Sequence, residues 1–231
     1  MSKKYALFGT GNTGSKIPEL LDDGEEFTFF NSSNKPTAEN LAGHDVIICF
    51  VPGPVLTDYL ELFVSTGIPV VSGATAIDWP ADWDETLKTH QLTWIWADNF
   101  SLGMNIVKTL INNISALSNL YHDPDFHIHE VHHVNKLDAP SGTAIRWQDW
   151  LERDSSISFE RTGDVVGRHQ LTLDTDYEQI TISHEAKDRR IFAHGALWAS
   201  RQLLAGGLPT GLLPLEYLTS MQRQGEYYVS N

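Results

Sequence analysis

A glycine-rich hexapeptide near the start of the chain, Gly9-Thr10-Gly11-Asn12-Thr13-Gly14, constrains the fold more than any other feature. The YALF segment at 5–8 before it has the apolar composition of a buried strand, and the SKIPELLDD segment after it has apolar residues at helical spacing. Between a strand and a helix, glycines at this spacing permit a tight turn and the close approach of a dinucleotide pyrophosphate, which the helix N-terminus stabilises. The alternative is a glycine-rich turn without a ligand. We predict that residues 9–14 bind a dinucleotide cofactor.

Four further apolar segments in the first hundred residues are predicted to form strands: EFTFF (26–30), DVIICF (45–50), IPVVSG (68–73) and LTWIWA (92–97). A helix that ends in glycine is predicted at 55–67. Because the strands are continuously apolar, they indicate a parallel sheet that is covered on both faces. The predicted fold class is therefore α/β, with a Rossmann-type dinucleotide-binding domain at the N-terminus.

The residues after the second predicted strand, NSSNK at 31–35, bear on the choice between NADH and NADPH. NAD sites usually place an acidic residue here, where it binds the ribose hydroxyls. This segment has no acid, and its polar side chains can hold a 2′-phosphate instead: Asn31, Ser32, Ser33 and Lys35. The alternative is a solvated turn, for which these residue types are ordinary. We expect NADPH to be preferred and NADH to be accepted.

The charge balance narrows the class of partner. The chain has 30 acidic and 16 basic residues, a formal net charge of −14, which argues against nucleic acid or an anionic membrane as partner. No apolar segment approaches the length of a membrane span, and the N-terminal residues lack the apolar core of a signal peptide, so we expect a cytoplasmic protein. The single cysteine, Cys49, is expected to be a buried thiol. A small molecule is the expected ligand, and an anionic one would require positive groups gathered at its site.

Residues 129–133 read HEVHH and satisfy the H-E-x-x-H pattern of zinc metalloproteases. That chemistry needs both histidines on one face of a helix. The surrounding sequence instead favours an extended chain, because apolar and aromatic residues alternate through 126–134 after an Asp-Pro-Asp turn signal. On a strand, His129 and His133 would lie about 13 Å apart, too far to bind one ion. We expect no metal, and a zinc hydrolase that uses His129, Glu130 and His133 is the less favoured alternative.

As a strand, this segment divides its histidines between two faces. Glu130 and His132 share one face, and the odd-numbered histidines share the other. Lys136 follows, and a turn at 138–143 then leads into a predicted amphipathic helix, so backbone N–H groups near Ser141 would lie at a helix N-terminus. Such a terminus can bind a carboxylate, although an ordinary Ser or Thr cap is the alternative.

The segment EVHHVNKLDAPSGTA (130–144) closely resembles the E-x-H-H-x-x-K-x-D-A-P-S-G-T-A signature of the dihydrodipicolinate reductase family, enzymes of the diaminopimelate–lysine pathway. Three other segments resemble motifs of the same family: DNFSLGMN (98–105), RTGDVVGRH (161–169) and ISHEAKDRRIFAHGAL (182–197). With the N-terminal glycines, the resemblance spans essentially the whole chain. The sequence departs from the family pattern at 73–76, where GATA replaces the usual G-T-T-G, at Asp98, which replaces a proline, and after the second strand, where no arginine occurs.

The resemblance implies an enzyme that reduces a cyclic, unsaturated dicarboxylate imine, formed from 4-hydroxy-tetrahydrodipicolinate, with hydride from NADPH or NADH. It implies His132 as the acid, with Lys136 assisting. A histidine, with an ordinary pKa of about 6.5, suits proton delivery near neutral pH. The resemblance also implies a set of substrate-binding residues: His133, Ser141, Gly142 and Thr143.

The resemblance extends the cofactor site to residues that follow later strands: Phe50, Gly73, Ala74, Thr75, Asp98, Asn99 and Phe100. It implies a Rossmann domain built from 1–102 and 207–231, with an inserted α+β domain at 103–206 for substrate binding and oligomerisation. It further implies a homotetramer. The changed 73–76 loop leaves open a catalytically silent NAD(P)-binding sensor of the same fold.

Overall fold

The computed structural model describes residues 2–223, which divide into two units. Of the described residues, the first unit comprises 2–101 and 190–223, and the second comprises 102–189. The first boundary therefore lies one residue from the predicted position, whereas the second lies at 189/190 and not near 206. Residues 224–231, which the prediction assigned to the first domain, lie outside the described residues.

The first unit contains a six-stranded parallel sheet with the order β10-β5-β4-β3-β1-β2. Its strands are β1 (Lys3–Phe8), β2 (Glu25–Phe30), β3 (Val46–Cys49), β4 (Val70–Ser72), β5 (Thr93–Trp96) and β10 (Gly211–Pro214). The five strands expected in the first hundred residues are all present, and the C-terminal part of the chain adds the sixth. The predicted α/β fold with a Rossmann-type parallel sheet is confirmed.

Helices cover both faces of this sheet, as its continuously apolar strands require. One face is covered by α1 (Ala38–Leu41), α2 (Gly53–Thr57), α3 (Leu60–Thr66) and α4 (Trp83–Thr89). The other is covered by a 3-10 helix (Gly14–Leu20), α7 (Arg190–Ala205) and α8 (Leu215–Arg223). The small side chains of Ala193, Ala196 and Ala199 are fully buried in the second of these cores. This packing explains why α7 belongs to the first unit and not, as predicted, to the inserted domain.

Two predicted helices of the first unit differ from expectation. The helix expected at 55–67 is divided into α2 and α3, and Gly67 ends it in the left-handed conformation, with φ of 70°. The segment after the glycine-rich loop forms a 3-10 helix of 7 residues in place of an α-helix. Pro18 lies inside this segment and has no N–H group to donate to an α-helical hydrogen bond.

The second unit contains a four-stranded sheet with the order β7-β6-β8-β9. Its strands are β6 (Asp125–His132), β7 (Ser156–Arg161), β8 (Gly167–Asp174) and β9 (Gln179–Ala186). β6 pairs with β7 in parallel, whereas its pairing with β8 and that of β8 with β9 are antiparallel. Three helical segments accompany this sheet: α5 (Leu102–Leu117), a 3-10 helix (Ser118–Leu120) and α6 (Gly142–Leu151). Within residues 2–223, no helix combines the length and apolar character needed to cross a membrane.

The two faces of this second sheet differ in character. The face of β6 and β8 that carries Phe126, Ile128 and Leu171 is buried together with residues of α5 and α6. On the opposite face, the rings of His127 and His129 contact serine hydroxyl groups of β7. The strand assignment of the HEVHH segment is thereby confirmed, since all but its last residue lie in β6.

Candidate active site

The glycine-rich loop follows β1 at the point where the strand order of the parallel sheet reverses. β2 lies on one side of β1, and β3, β4 and β5 follow on the other. In sheets of this kind, ligands bind outside the carboxyl ends of the strands at this reversal. The Gly9 amide donates to the carbonyl of Phe30, and the Phe50 amide donates to the carbonyl of Phe8. The ends of β1, β2 and β3 therefore meet at the loop.

Two glycines of the loop fit positions that a larger residue would disrupt. Gly9 has φ of +110°, and a Cβ atom added there would lie 2.3 Å from the Phe50 carbonyl oxygen. A Cβ atom at Gly14 would lie 2.1 Å from the Gly9 carbonyl oxygen. Gly11 differs, because no heavy atom of the described chain lies within 4 Å of its Cβ position. Open space at the second glycine is what the approach of a pyrophosphate requires, so the loop fits a dinucleotide.

The segment after the loop differs from the helix predicted to stabilise the pyrophosphate. A short 3-10 helix carries a weaker macrodipole than the α-helix expected there, because fewer peptide dipoles are aligned. The exposed side chains of Thr10 and Asn12 and the half-buried Thr13 therefore have a larger share in any phosphate contact than the prediction gave them.

The loops after β3, β4 and β5 meet at the same edge of the sheet. A Cβ atom at Gly73 would lie 2.3 Å from the Phe50 ring, so glycine is needed for this ring to pack against the backbone. The Phe50 and Phe100 rings contact each other with centroids 5.9 Å apart. This contact brings together three predicted cofactor residues that are far apart in the sequence.

The predicted cofactor residues of these loops differ in what they expose. The side chains of Ala74 and Phe100 are 3% and 1% exposed and therefore belong to the core. Their predicted contacts with a cofactor are limited to backbone atoms unless the side chains move. Thr75 and Asp98 are exposed and Asn99 is half-buried, so these three can present side-chain groups to a ligand.

The 73–76 loop, where the sequence departs from the family pattern, ends in a strained residue. Ala76 has φ of 56°, in the left-handed region that glycine adopts without strain. We expect Ala76→Gly to raise the free energy of unfolding by about 0.5–1 kcal/mol, because it relieves this strain at some entropic cost. The matched control is Ala74→Gly, which removes a buried methyl group and should lower stability. Denaturant unfolding of the two variants checks this, and a lower stability for Ala76→Gly would contradict it.

The 31–35 segment forms a compact turn at the carboxyl end of β2. The Asn31 side-chain oxygen accepts hydrogen bonds from the backbone amides of Ser33 and Asn34, at 2.9 and 3.0 Å. The side chains of Ser32, Ser33 and Lys35 are exposed around this turn. The position that is usually acidic in NAD sites is thus occupied by a neutral residue with an internal structural role.

The second unit places His132 at the end of β6 on the buried face. The residue is 8% exposed, and its backbone carbonyl accepts a hydrogen bond from the Thr162 amide at 2.9 Å. Its Nδ1 atom contacts the Glu130 carboxylate. Burial lowers the pKa of His132 below its ordinary value, and the Glu130 carboxylate acts in the opposite direction. The ring of His132 is therefore harder to protonate than an exposed histidine.

Glu130 is the centre of the polar cluster around His132. It is fully buried, and its Oε1 atom accepts from the Ser141 backbone amide at 3.0 Å and from Arg161 at 2.9 Å. Burial alone would raise the pKa of the carboxyl group, but Arg161, the Ser141 amide and His132 together hold it below its ordinary value. Glu130 is therefore a buried anion whose two oxygens are both bound.

Ser141, a predicted substrate residue, makes several hydrogen bonds within the protein. Its hydroxyl oxygen caps α6 by accepting from the Ala144 amide at 3.2 Å, and it lies 3.1 Å from Nε2 of His169. Its amide is bound to Glu130. These groups of Ser141 are buried and engaged, whereas Gly142 is exposed and Thr143 is half-buried. The first N–H groups of an α-helix have no intrahelical partner, so both residues can donate.

Lys136, predicted to assist the acid, and His133, a predicted substrate residue, lie just beyond β6. Lys136 donates to both carboxylate oxygens of Asp138, at 2.7 and 2.8 Å. His133 is half-buried, and its amide donates to the Val165 carbonyl at 2.8 Å. Arg161 also donates to the Asp138 carbonyl at 2.6 Å, which fixes the turn that begins there.

His169 is a deeply buried member of the cluster that the sequence marks only weakly. Its ring centroid lies 5.0 Å from that of His132 and 5.6 Å from that of Trp147. Burial, together with the neighbouring His132, lowers the pKa of His169 to about 3. It is therefore neutral at physiological pH and acts as a hydrogen-bonding partner of Ser141.

The zinc hydrolase alternative is incompatible with this geometry. His129 lies in β6 on the face opposite Glu130, so the three residues of the supposed motif do not converge. A different trio, Glu130, His132 and His169, has atoms within 4.8 Å of one another. Both oxygens of Glu130 are already bound, and the positive charge of Arg161 opposes a cation beside it. These contacts disfavour a metal ion at this trio.

Glu130 and Arg161 are the members of the site that sequence reasoning missed. The period of two placed Glu130 on the same face as His132, and a buried carboxylate must be paired. The sequence thus indicated that Glu130 needs a partner. It did not indicate that this partner is Arg161, which lies 31 positions away on a neighbouring strand.

Comparisons with known proteins identify relatives of this chain. The model of the family "Dihydrodipicolinate reductase, C-terminus" matches residues 103–217, which include the whole polar cluster. A relative from Christiangramia forsetii, named 4-hydroxy-tetrahydrodipicolinate reductase, is 33% identical over 218 residues, which cover 86% of this chain and 91% of that protein. A relative of the same name from Xanthomonas campestris pv. campestris is 35% identical over 170 residues, or 72% of this chain and 69% of that protein.

Solved structures are similar over nearly the full chain. The dipicolinate-bound dihydrodipicolinate reductase from Paenisporosarcina sp. TG-14 superposes with a TM-score of 0.78 at 18% identity, covering 94% of this chain and all of that one. An amine dehydrogenase from Mycobacterium smegmatis gives a TM-score of 0.62 at 11% identity, with coverage of 94% and 96%. At these identities the likeness concerns the fold.

Proposed function

The chain belongs to the dihydrodipicolinate reductase family, and on that premise we propose how its residues share the reaction. The function is that of a 4-hydroxy-tetrahydrodipicolinate reductase, an NAD(P)H-dependent oxidoreductase of diaminopimelate and lysine biosynthesis. The silent-sensor and zinc hydrolase alternatives are not favoured, because the relatives carry the name of the reductase. The observation that carries the residue assignment is the buried carboxylate of Glu130, which contacts His132 and accepts from the amide of Ser141, the N-cap residue of α6.

His132 supplies the proton of the reduction. A bound nicotinamide cofactor would supply the hydride, and the two electrons it brings leave negative charge on the conjugated ring of the substrate. The Nδ1 atom of His132 is held by Glu130, so Nε2 is the ring nitrogen that can deliver a proton to that charge. Two substrate carboxylates near the ring favour its protonated form, since opposite charge raises the pKa of a histidine.

The substrate carboxylates are held by Lys136 and by the start of α6. Lys136 is bound to Asp138 in the structure, so the substrate must compete with Asp138 for its ammonium group. The N–H groups of Gly142 and Thr143 offer two donors at a helix N-terminus, where an anion is stabilised. His133 adds a further polar group beside Lys136. A chain with a net charge of −14 can bind an anionic substrate only where positive groups and N–H donors are gathered, and these residues provide them.

The preferred cofactor is NADPH, with NADH also accepted. Support comes from the turn after β2, which exposes Ser32, Ser33 and Lys35 and has no acid to bind the ribose hydroxyls. A cation such as Lys35 can pair with a 2′-phosphate.

The substitution Asn31→Asp tests this preference with little structural change. An aspartate keeps the oxygen that accepts from Ser33 and Asn34, so the turn is retained. The negative charge of the aspartate would repel a 2′-phosphate, and its carboxylate oxygens would accept hydrogen bonds from the ribose hydroxyls of NADH. We therefore expect the ratio of kcat/KM for NADPH to kcat/KM for NADH to fall roughly tenfold, about 1.4 kcal/mol. Steady-state kinetics with both cofactors measures this ratio. Asn113→Asp, which adds the same charge on α5, is the control, and an unchanged ratio in Asn31→Asp would remove the 31–35 segment from the specificity site.

We propose that the protein forms a homotetramer and that its subunits contact one another through the second unit. Its sheet has one face buried against helices, and its other face carries the ring–serine contacts of His127 and His129. Sedimentation velocity gives the oligomeric state directly, and a monomer at micromolar concentration would contradict the proposal. The cytoplasmic location expected from the sequence stays a prediction.

The activity is tested by following oxidation of NADPH, and separately of NADH, with substrate generated in situ by dihydrodipicolinate synthase from pyruvate and aspartate semialdehyde. We expect oxidation that depends on this substrate. Folded protein that binds a cofactor but oxidises neither would overturn the proposed function.

A further inference from the structure

We propose that Glu130 is a positioning residue, which sets the tautomer of His132 and ties the acid to the carboxylate-binding turn. The inference deepens the proposed function and rests on the assignment of His132 as the acid. Glu130 makes no contact with substrate in this role and acts through the groups that it binds.

The burial and bonding of Glu130 carry the proposal. The side chain is fully buried, and one oxygen, Oε2, faces Nδ1 of His132. The other oxygen, Oε1, accepts from the Ser141 amide and from Arg161. A buried carboxylate is costly unless it is paired, so a residue with these contacts is retained for a geometry that an apolar residue cannot provide.

The contact with Nδ1 determines which ring nitrogen carries the proton in the neutral state. An ionised carboxylate only accepts hydrogen bonds, so Nδ1 of His132 must be the donor. Nε2 is then the nitrogen that gains and releases the catalytic proton. The glycine at 167 leaves space beside it, since a Cβ atom there would lie 3.0 Å from Nε2.

The second oxygen of Glu130 connects this ring to the turn that precedes α6. Glu130 binds the Ser141 amide at the end of that turn, and the hydroxyl of the same residue caps the helix. Arg161 binds Glu130 and the Asp138 carbonyl with the same nitrogen, so it fixes the other end of the turn. One carboxylate therefore holds both the proton donor and the backbone that presents Gly142 and Thr143.

The variant Glu130→Gln separates the two roles of this side chain. An amide has one acceptor oxygen and one NH₂ group, and the two donors at Oε1 are best met by its oxygen. The NH₂ group would then face Nδ1 of His132, which can accept only when it carries no proton. The substitution should therefore move the ring proton to Nε2 while the Ser141 and Arg161 contacts remain.

The same substitution changes the pH dependence in a defined direction. The charged and titratable groups that face His132 are Glu130, Lys136, Arg161 and His169. Of these, the carboxylate alone favours the protonated ring. Since an acid acts in its protonated form, the rate falls as pH rises through its pKa, and loss of the carboxylate should move this descending limb to lower pH by about one unit or more.

The test combines ¹⁵N NMR of histidine-labelled protein with kinetics on the full chain. Wild type, at a pH where the ring is neutral, should show His132 protonated at Nδ1, and Glu130→Gln should show it protonated at Nε2. We expect kcat to fall about 10²-fold, KM for the substrate to change less than threefold, and the descending limb to shift as described. The matched control is Glu25→Gln in the first unit, because Glu25 is likewise bound by an arginine, a backbone amide and a side-chain donor. It should leave the tautomer and the pH profile unchanged.

The outcomes separate this inference from the proposed function. An Nε2-protonated His132 in wild type overturns the positioning role even if Glu130→Gln does not fold. Loss of activity in Glu130→Gln without a change of tautomer or of pH profile would indicate a merely structural residue and also overturn it. If wild type has no reductase activity, the proposed function fails, whereas the tautomer measurement still decides what Glu130 does to the ring.

Discussion

Replacing His132 by alanine is expected to lower kcat about 10²–10⁴-fold, the range that a positioned general acid contributes, while the Kd for the cofactor stays within about twofold of wild type. The reason is local: His132 lies in the second unit, in a cluster with Glu130 and His169, whereas the glycine-rich loop belongs to the first. Lys136→Ala should lower kcat by a similar factor and also raise KM for the substrate, because it removes a cation from the proposed carboxylate site. Steady-state kinetics and cofactor titration by fluorescence measure these quantities.

The control for this prediction is His129→Ala on the same strand. His129 lies on the opposite face of β6 and contacts Ser158, so its loss should leave kcat within about threefold of wild type. This variant also separates the reductase from the zinc hydrolase, in which His129 would be a ligand. The assignment of the acid would be refuted by a folded His132→Ala variant that binds the cofactor more weakly but keeps the wild-type kcat once the cofactor is saturating.

The sequence predicted the parts of the fold that depend on local pattern. Continuous apolar runs identified β1 to β5. The alternation of apolar residues through 126–134 identified β6, although the H-E-x-x-H pattern within it is one that zinc metalloproteases carry on a helix. The division of the predicted helix at 55–67 and the 3-10 form of the segment after the glycines were missed. Pro18 was visible in the sequence, yet its effect depends on how closely the segment packs on the sheet, with Ile17 fully buried.

The position of α7 was missed for a related reason. Its alanine and glycine residues suit close packing on either sheet, so the sequence gives no preference between the two units. The choice is made by complementary packing with Tyr5 and Leu7, which are remote in the chain.

The site was predictable where the motif is continuous and unpredictable where it is assembled from several strands. Residues 130–144 contain the proposed acid, the proposed assisting lysine and the start of α6 in one continuous segment, and the resemblance to the family motif identified them together. The partners that orient them, Arg161 and His169, come from β7 and β8, and strand order cannot be read from periodicity. Ser141 shows the limit most clearly, because its residue type suits both a ligand donor and a helix cap, and the sequence does not indicate that its side chain is only 2% exposed.

The second large effect is expected in the glycine-rich loop, where Gly14→Ala should abolish cofactor binding and destabilise the first unit. The added Cβ atom would lie 2.1 Å from the Gly9 carbonyl oxygen, a backbone atom that cannot move without opening the turn. Gly9 itself, with φ of +110°, is fixed between this contact and the Phe50 carbonyl. We therefore expect a loss of about 2–4 kcal/mol in the free energy of unfolding, in the upper range for a single substitution.

Gly11→Ala provides the matched comparison, because it adds the same methyl group to the same loop without a steric conflict. No heavy atom of residues 2–223 lies within 4 Å of that Cβ position, so the free energy of unfolding should change by less than about 0.5 kcal/mol. If the pyrophosphate occupies the open space at Gly11, the methyl group will exclude it, and the Kd for NADPH should rise roughly ten- to hundredfold, about 1.4–2.7 kcal/mol. Thermal unfolding and cofactor titration distinguish the two variants. A Gly11→Ala protein with wild-type cofactor affinity would mean that the pyrophosphate binds elsewhere on the carboxyl edge of the sheet, because the added methyl group occupies the space assigned to the pyrophosphate.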